Sequence, residues 1–265
     1  MKIGFIGAGK MGLALANGIV QSQPQHSILI SDPSAESREL FLQQMPETEI
    51  LPDNQGICRQ ADVVFLACKP QQFVTAMDMP MPGGSSPLYI SVLAGTPIKK
   101  LVATLSSQRV VRVMPNTPCL IGKGVLGVAV NSSLRAEDQA LAELLLENVG
   151  SVVQVTEALM DAVTGISGSG PAYVFKFIEA LIQSGVNAGL EADVAKHLVI
   201  ETVIGAAELV KATGQDPAEL RKQVSSPAGT TVAGLAVLDQ LGFDRIVESA
   251  VRAAIERSRE LAEPS

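Results

Sequence analysis

Residues 2–12 read KIGFIGAGKMG: a short apolar run, then glycines spaced Gly7-x-Gly9-x-x-Gly12 at the head of an amphipathic stretch, KMGLALANGIVQS. No other feature constrains the fold so tightly. A strand that turns through glycines straight into a helix opens a βαβ unit. Gly7 permits the tight turn, Gly9 lets the backbone come close to a pyrophosphate, and Gly12 lets the helix pack against the strand. The N–H groups of Ala8, Gly9, Lys10 and Met11 are then expected to face the phosphates, at a helix N-terminus whose dipole favours negative charge. The cofactor class this predicts is a nicotinamide dinucleotide, NADPH or NADH.

The same alternation runs through the first half. KIGFIG (2–7), SILI (27–30), DVVFLA (62–67), PLYISVL (87–93), RVVRVM (109–114), GVLGVAV (124–130) and SVVQV (151–155) are short and apolar, with helical stretches such as AESRELFLQQM and a helix around 135–149 among them. Apolar strands separated by helices predict a parallel sheet covered on both faces, the doubly wound Rossmann-type arrangement of an α/β domain spanning residues 1–157. From residue 158 to 265 the strand signals stop. Helices are expected over 171–189, 191–213, 216–224 and 230–262, an all-helical domain with Pro171 in the first turn of its first helix. The apolar positions between 171 and 213 fall on more than one face, which points to packing against a second copy of the chain.

Charge and composition narrow the partners. A formal net charge of −7 disfavours nucleic acid. No uncharged apolar run approaches the ~18 residues a membrane span requires. The N-terminal glycines interrupt what would otherwise resemble a signal peptide, so a cytoplasmic location is expected. Cys58, Cys68, Cys119, His26 and His197 form no metal-ligand spacing, and no metal is expected. The hydrophobic fraction of 47% and mean hydropathy of +0.29 suggest a core enlarged by burial between subunits.

Within the cofactor domain, the acidic residue expected roughly 20 positions after the last glycine is Asp32, suited to the adenosine ribose and hence to NAD. Ser31, Ser34 and Arg38 could instead cradle a 2′-phosphate, and Asp32 also reads as an N-cap for the next helix. The cofactor preference stays open on these residues. Ligands of a doubly wound sheet lie beyond the carboxyl ends of its strands. Those ends carry ACKPQ (67–71), LAGTP (93–97) and MPNTP (114–118), so Ala67, Lys69, Pro70, Asn116 and Thr117 are candidates to border the cofactor. A solvated lysine and a Pro-flanked turn are the plainer readings of Lys69 and of Asn116 with Thr117.

The second half decides between oxidoreductases. In GISGSGPAYVFKFI, Gly165, Gly168 and Gly170 match the glycines of the β-hydroxyacid dehydrogenase pattern, but the positions of its acid/base Lys and its Asn hold Val174 and Ile178. Lys176 lies about 200° around the helix and cannot substitute. Carbonyl reduction lacks its positioned acid. A cyclic imine has no such need, because it can enter as a protonated iminium. The stretch VSSPAGTTVAG (224–234) offers what an imino acid requires: unpaired N–H groups at a helix N-terminus for a carboxylate, and hydroxyls for a ring nitrogen. It also reads as an ordinary helix cap.

With GFIGAGKMG, KPQ, MPNTP, GISGSGPAY and SSPAGTT in this order, the chain resembles the pyrroline-5-carboxylate reductases along essentially its whole length. The resemblance implies NAD(P)H-dependent reduction of 1-pyrroline-5-carboxylate to L-proline by a homodimer with interleaved helical domains, commonly assembled into a decamer. It implies that Thr231 hydrogen-bonds the imine nitrogen as the catalytic residue. Ser226, Ala228, Gly229 and Thr230 would shape the carboxylate pocket, while Lys69, Pro70, Asn116 and Thr117 border the cofactor. Ala228 departs from the family's usual Gly; if that position has φ > 0, a side chain there costs on the order of 1 kcal/mol. The rival readings are a reductase of another cyclic imino acid and a non-catalytic dinucleotide-binding sensor.

Overall fold

The computed structural model describes residues 1–79 and 86–262. Eight strands form one sheet: β1 (Lys2–Ile6), β2 (Ser27–Ser31), β3 (Glu49–Ile50), β4 (Val63–Leu66), β5 (Leu88–Ser91), β6 (Val110–Met114), β7 (Gly124–Val130) and β8 (Gly150–Gln154). Their order is β3-β2-β1-β4-β5-β6-β7-β8. Among them lie α1 (Lys10–Ser22), α2 (Ala35–Gln44), α3 (Asn54–Gln60), α4 (Phe73–Ala76), α5 (Ile98–Leu105) and α6 (Ala136–Leu146). The sheet grows outward from β1 in one direction, then from β4 in the other. The switch point between β1 and β4 is where such a sheet opens a crevice.

The sheet is not wholly parallel, as the sequence pattern had suggested. β7 runs antiparallel to β6, with Met114 opposite Gly127. Residues 115–123 between them fold into a short 3₁₀ turn, and a parallel return needs a crossover of roughly a dozen residues or more. The two-residue β3 has too little pattern to be read from sequence.

Alternation along the strands buries both faces. Phe5, Ile30 and Phe65 join Leu15 and Ile19 of α1 and Phe41 of α2 on one side. Ile6, Leu29 and Leu66 join Ile57 of α3, Phe73 of α4 and Leu101 of α5 on the other. Phe5 and Phe65 stack with ring centroids 4.9 Å apart. Near one end of β6, Arg109 forks onto the buried Asp138 of α6 (Nη2–Oδ1 2.7 Å, Nε–Oδ2 3.0 Å) and donates to the Ser86 carbonyl. Arg135 adds a second cation at 3.0 Å.

The remaining helices are α7 (Met160–Val163), α8 (Gly170–Asn187), α9 (Ala192–Thr213), α10 (Pro217–Gln223), α11 (Thr230–Gln240) and α12 (Phe243–Ala262). Two differences from the sequence reading stand out. The helix expected over 230–262 is broken at Leu241 and Gly242, the latter at φ 73°, a conformation that only glycine adopts without strain. Pro171 stands in the first turn of α8, as expected, but the chain enters that helix from a π-helical turn, Thr164–Gly168, that the sequence does not announce.

Chain contacts divide the protein into Met1–Ser169 together with the segment from Ala253, and Gly170–Arg252. The division differs from the expected one at 157/158, since residues 158–169 pack on the sheet. Met160 clusters with Ile98 and Ala129, and a Cβ on Gly127 would lie 2.5 Å from Val163. The returning segment is tied there by Ser258, whose hydroxyl donates to Asp161 at 2.7 Å. Within Gly170–Arg252, Ala195 is the only buried residue among those described. Phe175, Leu198, Leu209, Leu241 and Ile246 are all exposed. That set of helices has no core of its own. No helix among the described residues is long and apolar enough to cross a membrane, and none of the described His, Cys, Asp and Glu residues cluster as metal ligands.

Candidate active site

The crevice at the β1/β4 switch point is built from the glycine turn. Gly7 has φ 102°, and a Cβ there would fall 2.6 Å from the backbone of Ala67 and Cys68. Only glycine permits that turn beside the end of β4. A Cβ on Gly12 would meet the Gly7 carbonyl at 2.9 Å, so the first turn of α1 depends on its absence. Gly9 is different. Its backbone is ordinary (φ −75°, ψ 179°) and nothing among the described residues lies within 4 Å of where a Cβ would project. The fold itself does not require glycine there. Open space in front of an uncapped helix N-terminus is what a pyrophosphate would fill, so the residues present fit a dinucleotide.

Asp32 occupies the position expected for the ribose, but its carboxylate already has partners. Oδ2 accepts from the Ala8 N–H at 2.7 Å and Oδ1 from the Ser34 N–H at 2.8 Å. Two sequence expectations change accordingly. The Ala8 N–H points to Asp32 and not to the phosphates. The N-cap of α2 is Ser34, whose hydroxyl accepts from the Ser37 N–H at 3.2 Å, so Asp32 is not that cap. Arg38 donates to the Asp32 carbonyl at 2.6 Å. Ser31 is buried at the end of β2, its carbonyl accepting from the Gly7 N–H at 2.9 Å.

Lys10 is exposed and Met11 half-buried at the first turn of α1. Ala67 and Pro70 are half-buried where β4 ends, and Lys69 is exposed, with no ion pair or side-chain hydrogen bond among the described residues. Burial pushes the neighbouring Cys68 thiol up to about 11, which leaves it protonated and a poor nucleophile at neutral pH. In the loop after β6 the two polar residues part company. Thr117 is exposed, its hydroxyl without a partner among the described residues. Asn116 is buried, accepting from the Val125 N–H at 2.9 Å and donating to the Ser167 carbonyl at 3.2 Å. No local pattern signals this, because Val125 belongs to the next strand and Ser167 lies far along the chain.

In the helical unit, Ser226–Gly229 is a turn closed by the Gly229 N–H on the Ser226 carbonyl at 3.0 Å. Pro227 occupies its second position and Ala228 its third, at φ 58°, the arrangement of a type II turn. A Cβ on Gly229 would lie 2.6 Å from Ser226 Oγ. Gly229 caps α11 without a side-chain hydrogen bond, so the first N–H groups of an eleven-residue helix are unpaired. The hydroxyls of Ser226, Thr230 and Thr231 have no partner among the described residues either. Lys176 forms a 2.8 Å pair with Glu179, both side chains well exposed.

Residues 157–261 match the family model for pyrroline-5-carboxylate reductase dimerisation, and residues 2–95 that for NADP oxidoreductase coenzyme F420-dependent. The chain is 40% identical to a pyrroline-5-carboxylate reductase of Synechocystis over 98% of both chains. The chain belongs to the pyrroline-5-carboxylate reductase family. Two solved members of the family superpose over nearly the whole chain. The pyrroline carboxylate reductase of Plasmodium falciparum with NADP bound has a TM-score of 0.88 at 34% identity, covering 99% of this chain and 98% of that one. The 1-pyrroline-5-carboxylate reductase of Streptococcus pyogenes has a TM-score of 0.89 at 32% identity, covering 98% of each. A Rossmann-type domain followed by a helical dimerisation region is the architecture of the family and of this chain.

Proposed function

We propose that the protein reduces 1-pyrroline-5-carboxylate to L-proline with NADPH or NADH, the last step of proline biosynthesis, in the cytoplasm. The observation that carries this reading is the presence, one in each unit, of two uncapped helix N-termini of different chemistry. The one at Gly9 is fronted by open space, and the one at Gly229 carries free hydroxyls.

The nicotinamide supplies the hydride. The N–H groups of Lys10, Met11 and Gly12 would hold the pyrophosphate, Asp32 and its neighbours would face the adenosine ribose, and Lys69, Pro70 and Thr117 would border the cofactor. The N–H groups at the start of α11, shaped by Ser226, Ala228, Gly229 and Thr230, hold the substrate carboxylate. Thr231 Oγ1 hydrogen-bonds the imine nitrogen and orients the C=N bond, whose carbon accepts the hydride while the nitrogen keeps its proton. Positioning and electrostatics lower the barrier, and no strong acid takes part.

The coreless helical unit supports a homodimer through α8, α9, α11 and α12, with dimers assembled into a decamer. The test of the mechanism is Thr231→Ala beside Thr231→Ser. Loss of the hydroxyl is expected to lower kcat about tenfold, with serine largely restoring it. Equal turnover in Thr231→Ala and the parent would remove Thr231 from the reaction.

A further inference from the structure

The loop MPNTP sits at the carboxyl end of β6, on the edge of the sheet that carries the glycine turn, and its two polar residues face different surroundings. Asn116 is 8% exposed. Its amide orientation is fixed by chemistry: the Val125 N–H at 2.9 Å must meet oxygen, so Nδ2 faces Ser167. There Nδ2 lies 3.2 Å from the Ser167 carbonyl and 3.4 Å from its hydroxyl.

The Ser167 carbonyl is available for a reason written in the sequence. In a helix it would accept from the N–H four residues on, and that residue is Pro171, which has none. Ser167 lies within the π-helical turn Thr164–Gly168, an irregularity that recurs at functional sites. The turn presses close to the sheet, since a Cβ on Gly168 would lie 2.5 Å from Met114 Cε. Asn116 thus joins the cofactor loop, the start of β7 and the turn from which α8 continues.

We propose that Asn116 is a positioning residue for hydride transfer. It does not touch the cofactor but holds the π-helical turn at Ser167, while Thr117 is what this loop presents to the cofactor. This rests on the reductase reading above, and it divides a pair of residues that the sequence alone treats alike.

The test compares Asn116→Asp, which keeps the acceptor for the Val125 N–H and loses the Nδ2 donor, with Asn116→Ala and Thr117→Val. NADPH affinity is titrated by nucleotide fluorescence without imine, and kcat is measured with pyrroline-5-carboxylate and with NADPH deuterated at the transferred position. For both Asn116 variants the expected result is an affinity within about twofold of the parent, kcat lower by roughly 10–100-fold, and a larger isotope effect on kcat, because a small misplacement burdens the chemical step. Thr117→Val is expected to weaken NADPH instead. A tenfold loss of affinity in Asn116→Asp would overturn the proposal in favour of direct contact, and unchanged kcat would overturn it outright.

Should Asn116→Ala fail to fold, Asn116→Asp decides. Amide exchange over residues 164–172 needs no turnover. Faster exchange there in Asn116→Asp, with β1 and α1 unchanged, is expected, and equal exchange refutes the anchoring. A parent that oxidises no NADPH with the imine would sink the reductase reading, leaving this exchange comparison to judge the anchor.

Discussion

Ala228 stands at φ 58°, a conformation in which an L-residue with a Cβ is strained by about 1–2 kcal/mol. Replacing it by glycine relieves that strain. It also frees the unfolded chain, which offsets about 0.4–1 kcal/mol of the gain. The net expectation for Ala228→Gly is a stabilisation of about 0.8 kcal/mol, the middle of a range of about 0–1.6, or a rise in Tm of about 2–3 °C for a chain of this size. Ser106, at the C-cap of α5 with φ 49°, is a second position of the same kind, far from the Ser226–Gly229 turn in sequence. Ser106→Gly should therefore rise similarly. Thermal melts followed by far-ultraviolet circular dichroism, at fixed protein concentration because assembly shifts Tm, read both. Activity is expected to persist in Ala228→Gly, since the N–H groups of α11 are untouched. A lower or unchanged Tm in Ala228→Gly beside a raised one in Ser106→Gly would refute the strained turn. It would mean that the Ala228 methyl is packed where the subunits meet.

Gly9→Ala should leave the melting temperature unchanged, since its Cβ meets nothing within 4 Å, yet weaken NADPH and NADH by tenfold or more in a fluorescence titration; equal affinity would place the pyrophosphate elsewhere. Asp138→Asn tests the ion-pair fork. The Arg109 and Arg135 guanidiniums hold the Asp138 carboxyl at about 2, a depression worth about 2 kcal/mol by linkage. A depressed carboxyl stabilises the fold above its unfolded value, and the contribution disappears as pH falls from about 4 through 2. Urea titrations should therefore show Asp138→Asn about 2 kcal/mol less stable at pH 7 and close to the parent near pH 2; a gap independent of pH would assign the loss to packing.

The N-terminal half was legible because its signals are local. Three glycines at fixed spacing, Phe5 and Ile6 facing opposite sides of β1, and Pro and Gly at the loops each act within a few residues. Where the sequence reading failed, distance or brevity was the cause. Asp32 reaches Ala8 across 24 positions and Asn116 reaches Ser167 across 51, and no pattern in either segment encodes the partner. Gly242 was passed over because a glycine inside an apolar helical pattern is tolerated as often as it terminates one. The turn at Ser226–Gly229 was legible in kind, through Pro227 and Gly229. The positive φ at Ala228 was not, because alanine is the wrong residue to announce it.

The most direct test of the account is the oxidation of NADPH and, in parallel, NADH by the purified protein with and without 1-pyrroline-5-carboxylate. Oxidation that depends on the imine and yields proline is the predicted result, and the ratio of the two rates reports how Asp32, Ser34 and Arg38 divide the cofactors. Binding of both nucleotides with neither oxidised in the presence of the imine would contradict it, and would leave the uncapped start of α11 holding some other anion.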